Sequence, residues 1–204
     1  MEKHIYLIRH GETDFNKQGI VQGRGVDSSL NENGRLQSQL FFDAYNNAGF
    51  EKIFVSNLKR TYQTIEPFAL SGIHIEKHAG LDEISWGVHE GQSDGDSFKR
   101  FYEILHLWKS GDISQKIDGG ESPVDVQQRQ LEFLEKLITT PENNILICSH
   151  GRAMRILLCT MLQQDLKEMD SYPHRNLSLY KLNFNEGVFR VTLFNEIQHV
   201  ESTF

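Results

Sequence analysis

Two of the 204 residues are cysteine, Cys148 and Cys159, and both sit among apolar neighbours. That scarcity argues against a disulfide scaffold or a cysteine-built metal centre, and fits two reduced core thiols in a cytoplasmic protein. Positive charge is also short: 21 Lys and Arg stand against 28 Asp and Glu, a formal net charge of -7. The basic footprint that nucleic-acid binding requires is missing. Apolar runs such as Ile5–Ile8 and Ile156–Leu158 are far too short to span a bilayer. The opening Met1-Glu2-Lys3-His4 passes straight into a strand-like run, without the plan of a signal peptide. There is no repeat, low-complexity tract or long linker, and 38% hydrophobic residues suffice for one substantial core, so a single domain over 1–204 is expected.

What is present is an alternation. Four short apolar or β-branched runs, Ile5–Ile8, Ile53–Val55, Ile73–Ile75 and Ile145–Cys148, are separated by helical stretches at Glu32–Ala48, Leu58–Leu70 and Val124–Ile138, with Ala153–Leu162 after the last. In the first helix Leu36, Leu40, Phe41 and Ala44 fall on one face. Strands alternating with helices predict an α/β fold: three layers, α/β/α, around a mainly parallel sheet of about six strands. The tail differs. Leu177–Phe184 and Val188–Phe194 flank Asn185-Glu186-Gly187 and read as a hairpin, which puts an antiparallel edge strand near the C-terminus.

The chemistry-bearing residues gather where strands stop. Ile5–Ile8 runs into Arg9-His10-Gly11-Glu12-Thr13, Ile53–Val55 into Ser56-Asn57-Leu58-Lys59-Arg60-Thr61, and Ile145–Cys148 into Ser149-His150-Gly151-Arg152. The carboxyl ends of parallel strands share one rim, and ligands bind there. If these strands are neighbours, Arg9, His10, Arg60 and His150 converge. Such a cluster, with helix amino termini beside it, gives an acidic chain the local positive charge needed for an anion, and guanidinium forks suit phosphate. One histidine at a strand end is ordinarily a polar cap. Two His-Gly steps at two strand ends are harder to attribute to chance.

Arg9-His10-Gly11-Glu12-Thr13-Asp14-Phe15-Asn16 fits an R-H-G-x-[ST]-x-x-N signature, and in this respect the chain resembles the histidine phosphatase superfamily, the phosphoglycerate-mutase-like enzymes. The resemblance continues in order through Gln22-Gly23 with Asp27 and Leu30, Ser56 to Thr61, Leu81-Asp82-Glu83 with Glu90-Gly91, Gly119 to Ser122, and Ser149-His150-Gly151. It implies a metal-independent phosphomonoesterase without a cofactor, whose phosphoryl group passes to His10 and then to water. His10 must then be neutral at the attacking nitrogen, its other nitrogen held by a backbone carbonyl, here expected to be Gly11. Gly11 is also expected to let the backbone approach the phosphate. Arg9, Arg60 and His150 would cradle the phosphoryl oxygens and Glu83 would protonate the leaving group, with Glu12 and Glu90 as rival acids. Thr13, Asn16, Gln22, Gly23 and Gly151 would line the substrate site.

The expected partner is a small phosphate monoester, with neither nucleic acid nor membrane, and the protein a monomer or homodimer in the cytoplasm. A phosphoglycerate mutase is the main alternative, opposed by the short segment between Gly91 and Gly120 and by Gln22-Gly23-Arg24-Gly25-Val26-Asp27 in place of the G-W-x-D-type segment of the mutases. A phosphate-binding regulatory domain is the second alternative, but a pure binder has no use for an acid. Within the variable segment 91–120, Phe98, Phe101, Tyr102, Leu105 and Trp108 recur at helical spacing, as a packing face more than a substrate cage, with part of the helix a candidate lid. Ser122-Pro123 and Asp125 read as a capping box rather than as catalytic residues. Arg152 departs from the smaller residue common after the second histidine motif, and is either a contact to an anionic substrate or a solvated charge. His74 and His78, about 13 Å apart if they lie on a strand, are too far apart to chelate one ion, so no metal site is expected.

Overall fold

A computed structural model describes residues 2–93, 95 and 98–204. Six strands form one sheet: β1 (Lys3–Arg9), β2 (Lys52–Val55), β3 (Ile75–Lys77), β4 (Asn144–Ser149), β5 (Leu179–Asn185) and β6 (Val188–Glu196). Their order is β3-β2-β4-β1-β5-β6. The first four are parallel, while β5 runs antiparallel to β1 and β6 antiparallel to β5. The mainly parallel α/β sheet with an antiparallel C-terminal margin is therefore as the sequence suggests.

Alternation along the strands builds the layers. Ile5 and Leu7 of β1 point to one face with Phe54, Ile145 and Ile147, and there meet α4 (Lys99–Ser110), α5 (Pro123–Thr139) and α6 (Gly151–Met161). Tyr6 and Ile8 point to the other with Ile53, Val55 and Leu146, under α2 (Glu32–Tyr45) and α3 (Lys59–Leu70). A strand covered on both faces is apolar throughout, which is why β2 and β4 read as continuous runs. A short helix α1 (Asp14–Lys17) follows β1. No helix among the described residues is long and apolar enough to cross a membrane.

Several local readings change. The buried stripe of α2 is Gly34, Gln37, Ser38 and Phe41, while Leu36 is 52% exposed. The polar members are acceptable inside because each is bonded: Gln37 accepts from the Glu12 N–H (2.9 Å), and the Ser38 hydroxyl donates to the Thr64 carbonyl (2.7 Å). The third strand begins at Ile75 and not Ile73, where its pairing with Ile53 starts. In the hairpin Asn185 stays in the ladder and the turn is Glu186-Gly187, with φ of 51° and 80°. Two successive positive φ angles are what a two-residue turn matching the strand twist requires.

The variable segment 91–120 holds α4, whose Phe98, Phe101, Ile104 and Trp108 are buried in the core while Tyr102 is half exposed. Asp94, Asp96 and Ser97 of that segment lie outside the described residues. Ser122 and Asp125 form the capping box, with Pro123 opening α5. His78 does not extend a strand: its Nδ1 accepts the Gly80 N–H (3.0 Å) and starts a short 3-10 turn. Both cysteines are buried and free.

Candidate active site

Because β2, β4 and β1 are neighbours, their carboxyl ends bring Arg9, His10, Arg60 and His150 together. Arg9 pairs in register with Ser149, and the two histidine rings stand 5.1 Å apart. A cavity of about 190 Å³ opens over them, lined by Arg9, His10, Asn16, Gln22, Arg60, Glu83 and Gly151 among the expected residues. Val21, Trp86, Arg152 and His174 complete the wall.

His10 is buried, and its Nδ1 lies 2.7 Å from the carbonyl of Gly11. A carbonyl only accepts, so Nδ1 carries the proton and donates it. Burial, followed by the positive charges of Arg60 and Arg9, pushes the His10 imidazolium well below its ordinary range. The ring is neutral with its lone pair on Nε2, which no described residue engages.

The loop carrying His10 is held from three sides. The Gly11 N–H donates to Thr64 Oγ1 (2.9 Å), and the Asn176 side chain donates to the His10 carbonyl (2.9 Å). Gly11 itself packs on α2, where an added Cβ would stand 2.7 Å from the Gly34 carbonyl. The missing side chain thus allows a close crossing of two backbones.

Arg60 is fully buried. Its Nε donates to His150 Nδ1 (3.2 Å), and its terminal nitrogens donate to the carbonyls of Val26 (2.7 Å) and Gly23 (3.3 Å). Three of its five N–H groups are used, which leaves one on each terminal nitrogen. Burial and the charges of Arg60 and Arg9 keep His150 neutral. With Nδ1 accepting from Arg60, its proton lies on Nε2 and is given to Ser56 Oγ (2.8 Å). The resemblance implies a ring nitrogen of His150 on the phosphoryl group. Here both nitrogens are engaged by the protein, and His150 meets the cavity through Arg60. Thr13 and Gly23 also stand behind the wall. The Thr13 hydroxyl caps α1 and receives the Gln22 amide (2.7 Å), whose other end accepts from Ser28. Gly23 supplies the carbonyl under Arg60.

Glu83 is 7% exposed and sits at the start of α6. Its Oε1 accepts from its neighbour Ile84 N–H (2.9 Å) and from Ala153 N–H (2.8 Å), and its Oε2 from Arg152 N–H (3.1 Å). The unsatisfied amides of a helix start fix the carboxyl group in the wall. The rival acids point elsewhere: Glu12 receives Asn31 (2.8 Å) and lines a separate hollow, and Glu90 receives the Trp86 N–H (2.9 Å).

The profile of the histidine phosphatase superfamily (branch 1) matches residues 5–197. The chain belongs to this superfamily. It is 28% identical over 184 residues to Phosphoserine phosphatase 1 of Hydrogenobacter thermophilus, covering 89% of this chain and 87% of that protein. It is 30% identical over 210 residues to a protein of Erwinia tasmaniensis named "Probable phosphoglycerate mutase GpmB", covering 98% and 95%. Among solved structures, Bacillus stearothermophilus YhfR superposes with a TM-score of 0.85 at 28% identity, over 98% of this chain and all of that one. Proteins named as phosphatases and as mutases thus both stand among the relatives of this chain.

Three wall residues, Val21, Trp86 and His174, have no signal in the sequence, and His174 is the polar one among them. His174 comes from the irregular segment before β5, which has neither periodicity nor a motif. Its carbonyl accepts from Arg9 (3.0 Å) and its Nδ1 faces the same nitrogen (3.4 Å). Burial and the charges of Arg9 and Arg155 push its pKa down to about 2, so this ring too is neutral. Arg9 is thereby aimed, while its Nε stays buried with no partner among the described residues. All three histidines around the cavity are neutral and the arginines are charged, an arrangement that favours an anion.

Proposed function

We propose that this histidine phosphatase hydrolyses small phosphate monoesters, with the phosphoryl group held transiently on Nε2 of His10. The observation that carries the reading is the neutral His10 ring, its proton fixed on Nδ1 by Gly11 and its free lone pair at a cavity edged by the guanidinium groups of Arg9, Arg60 and Arg152. A nucleophile of this kind divides one difficult displacement into two easier ones.

In the first step Nε2 attacks phosphorus in line, the P–O bond to the alcohol breaks, and Glu83 gives its proton to the leaving oxygen. The free N–H groups of Arg60, with Arg9 and the Asn16 amide, hold the non-bridging oxygens where negative charge develops. His150 acts on the phosphoryl group as a positioning residue, through Arg60. In the second step Glu83 takes a proton from water, the oxygen attacks phosphorus, and the P–N bond breaks. His10 returns neutral and inorganic phosphate leaves. Every proton in this scheme is moved by a side chain of the protein.

The GpmB relative supports a second reading, in which the phosphoryl group returns to a phosphoglycerate. The segment between Gly91 and Gly120 is short beside the larger insertion of the longer mutases, but the GpmB relative is matched over 95% of its own length, so an assay decides between the two readings. A panel of phosphomonoesters including p-nitrophenyl phosphate, assayed with and without chelator, tests the proposal. Release of inorganic phosphate, unchanged by the chelator, is expected. Efficient isomerisation of 3-phosphoglycerate in the presence of 2,3-bisphosphoglycerate, with weak hydrolysis, would replace the hydrolase by the mutase.

A further inference from the structure

The cavity has a second cationic wall that the reaction at phosphorus does not use. Arg152, the second residue of α6, is drawn back over two indoles, its guanidinium carbon 5.7 Å from the Trp108 ring centre and 5.9 Å from that of Trp86. Its side chain is 12% exposed. One terminal nitrogen donates to Asp170 Oδ1 (2.7 Å), and the same oxygen accepts from Arg155 (2.7 Å), whose Nε is held by the Tyr172 carbonyl (2.8 Å). One carboxylate therefore faces two guanidinium groups, and a positive charge is left over at the cavity wall. The Nε and the other terminal nitrogen of Arg152 bond no described residue.

This charge shares the cavity with the acid of the mechanism. The Arg152 main-chain N–H is bonded to Oε2 of Glu83, the group that serves the leaving oxygen in the mechanism above. Glu83 and the Arg152 side chain line the same cavity, so an alcohol served by Glu83 shares that space with the guanidinium. A guanidinium fixed by an ion pair and by aromatic faces has lost little freedom still to be lost on binding, and its fork matches a planar carboxylate. The space is small as well: about 190 Å³, below the roughly 300 Å³ where sites for larger organic ligands begin. It has room for a phosphoryl group and a short acid.

We propose that Arg152, held by Asp170, reads a carboxylate on the leaving alcohol, so that preferred substrates are phosphate esters of short hydroxy acids. The inference rests on the phosphomonoesterase reading. It is tested with matched pairs that differ in the carboxylate: 3-phosphoglycerate against glycerol 3-phosphate, and O-phosphoserine against O-phosphoethanolamine. The readout is the ratio of kcat/KM within each pair, which cancels losses that both esters share. The wild-type ratio is expected to exceed about tenfold, the scale of one charge-assisted hydrogen-bond pair. Arg152→Gln brings it close to one, Arg152→Lys leaves an intermediate value, and Asp170→Asn lowers it by freeing the guanidinium. A wild-type ratio near one with good turnover of p-nitrophenyl phosphate overturns the carboxylate assignment and leaves the phosphatase standing. So does a ratio that survives in Arg152→Gln, or a preference for a bisphosphate over either acid. A protein inert towards every monoester, p-nitrophenyl phosphate included, overturns both.

Discussion

Acidification to pH 5 should destabilise this protein through its histidines well before its carboxylates protonate. His10, His150 and His174 have folded-state pKa values depressed below 6.5, by burial first and by nearby arginines second. A depressed histidine binds fewer protons folded than unfolded, so stability is fully present above the unfolded value and falls as pH drops below it. Between pH 7 and pH 5 each ring that stays neutral in the fold forfeits about 2 kcal/mol, and the three together about 6 kcal/mol, a large share of a typical domain's 5–15 kcal/mol. His78 is shifted the same way and adds a smaller share. The carboxyls held low by their partners, Glu121 beside Arg129 and Glu196 beside His199, act in a different window, with losses beginning near pH 4.5 and growing below it. Urea titrations at pH 7, 6 and 5 measure the effect, and His174→Gln should remove about a third of it. A midpoint that stays flat between pH 7 and 5, or a slope unaltered in His174→Gln, would refute the neutral-histidine account.

Three further substitutions probe the supports of the site. Thr64→Val removes the acceptor of the buried Gly11 N–H; urea denaturation should show a loss of about 1–3 kcal/mol, with a fall in kcat as the His10 loop relaxes. Gly34→Ala places a Cβ 2.1 Å from the Glu12 carbonyl, so thermal denaturation should report a loss of at least about 2 kcal/mol and assays a sharp drop in turnover. Ser122→Ala breaks the capping box of α5 and should lower stability by about 1 kcal/mol while kcat/KM stays within twofold.

The strand ends were the legible part of this molecule. A run such as Ile145–Cys148 followed by Ser149-His150-Gly151 carries its own placement, because a parallel strand delivers whatever follows it to the common rim. The capping box at Ser122 and the carbonyl of Gly11 are equally local, settled within three residues. The polar face of α2 was illegible for the opposite reason. Gln37 is buried because its partners, the Glu12 N–H and the Thr203 hydroxyl, arrive from 25 and 166 residues away, and without them Leu36 is the natural core residue. His174 and the Asp170 that braces Arg152 lie in irregular chain, where neither periodicity nor a turn signal announces a role.

Neutral His10 with its lone pair on Nε2 is the centre of the account, and trapping the covalent intermediate tests it most directly. The protein is mixed with a 32P-labelled monoester, quenched in alkali within milliseconds, digested, and the labelled peptide sequenced by mass spectrometry. An alkali-stable, acid-labile phosphoryl group on His10 is expected, absent in His10→Ala together with turnover. Label on another residue, or a His10→Ala protein that still turns over at the wild-type rate, would contradict it.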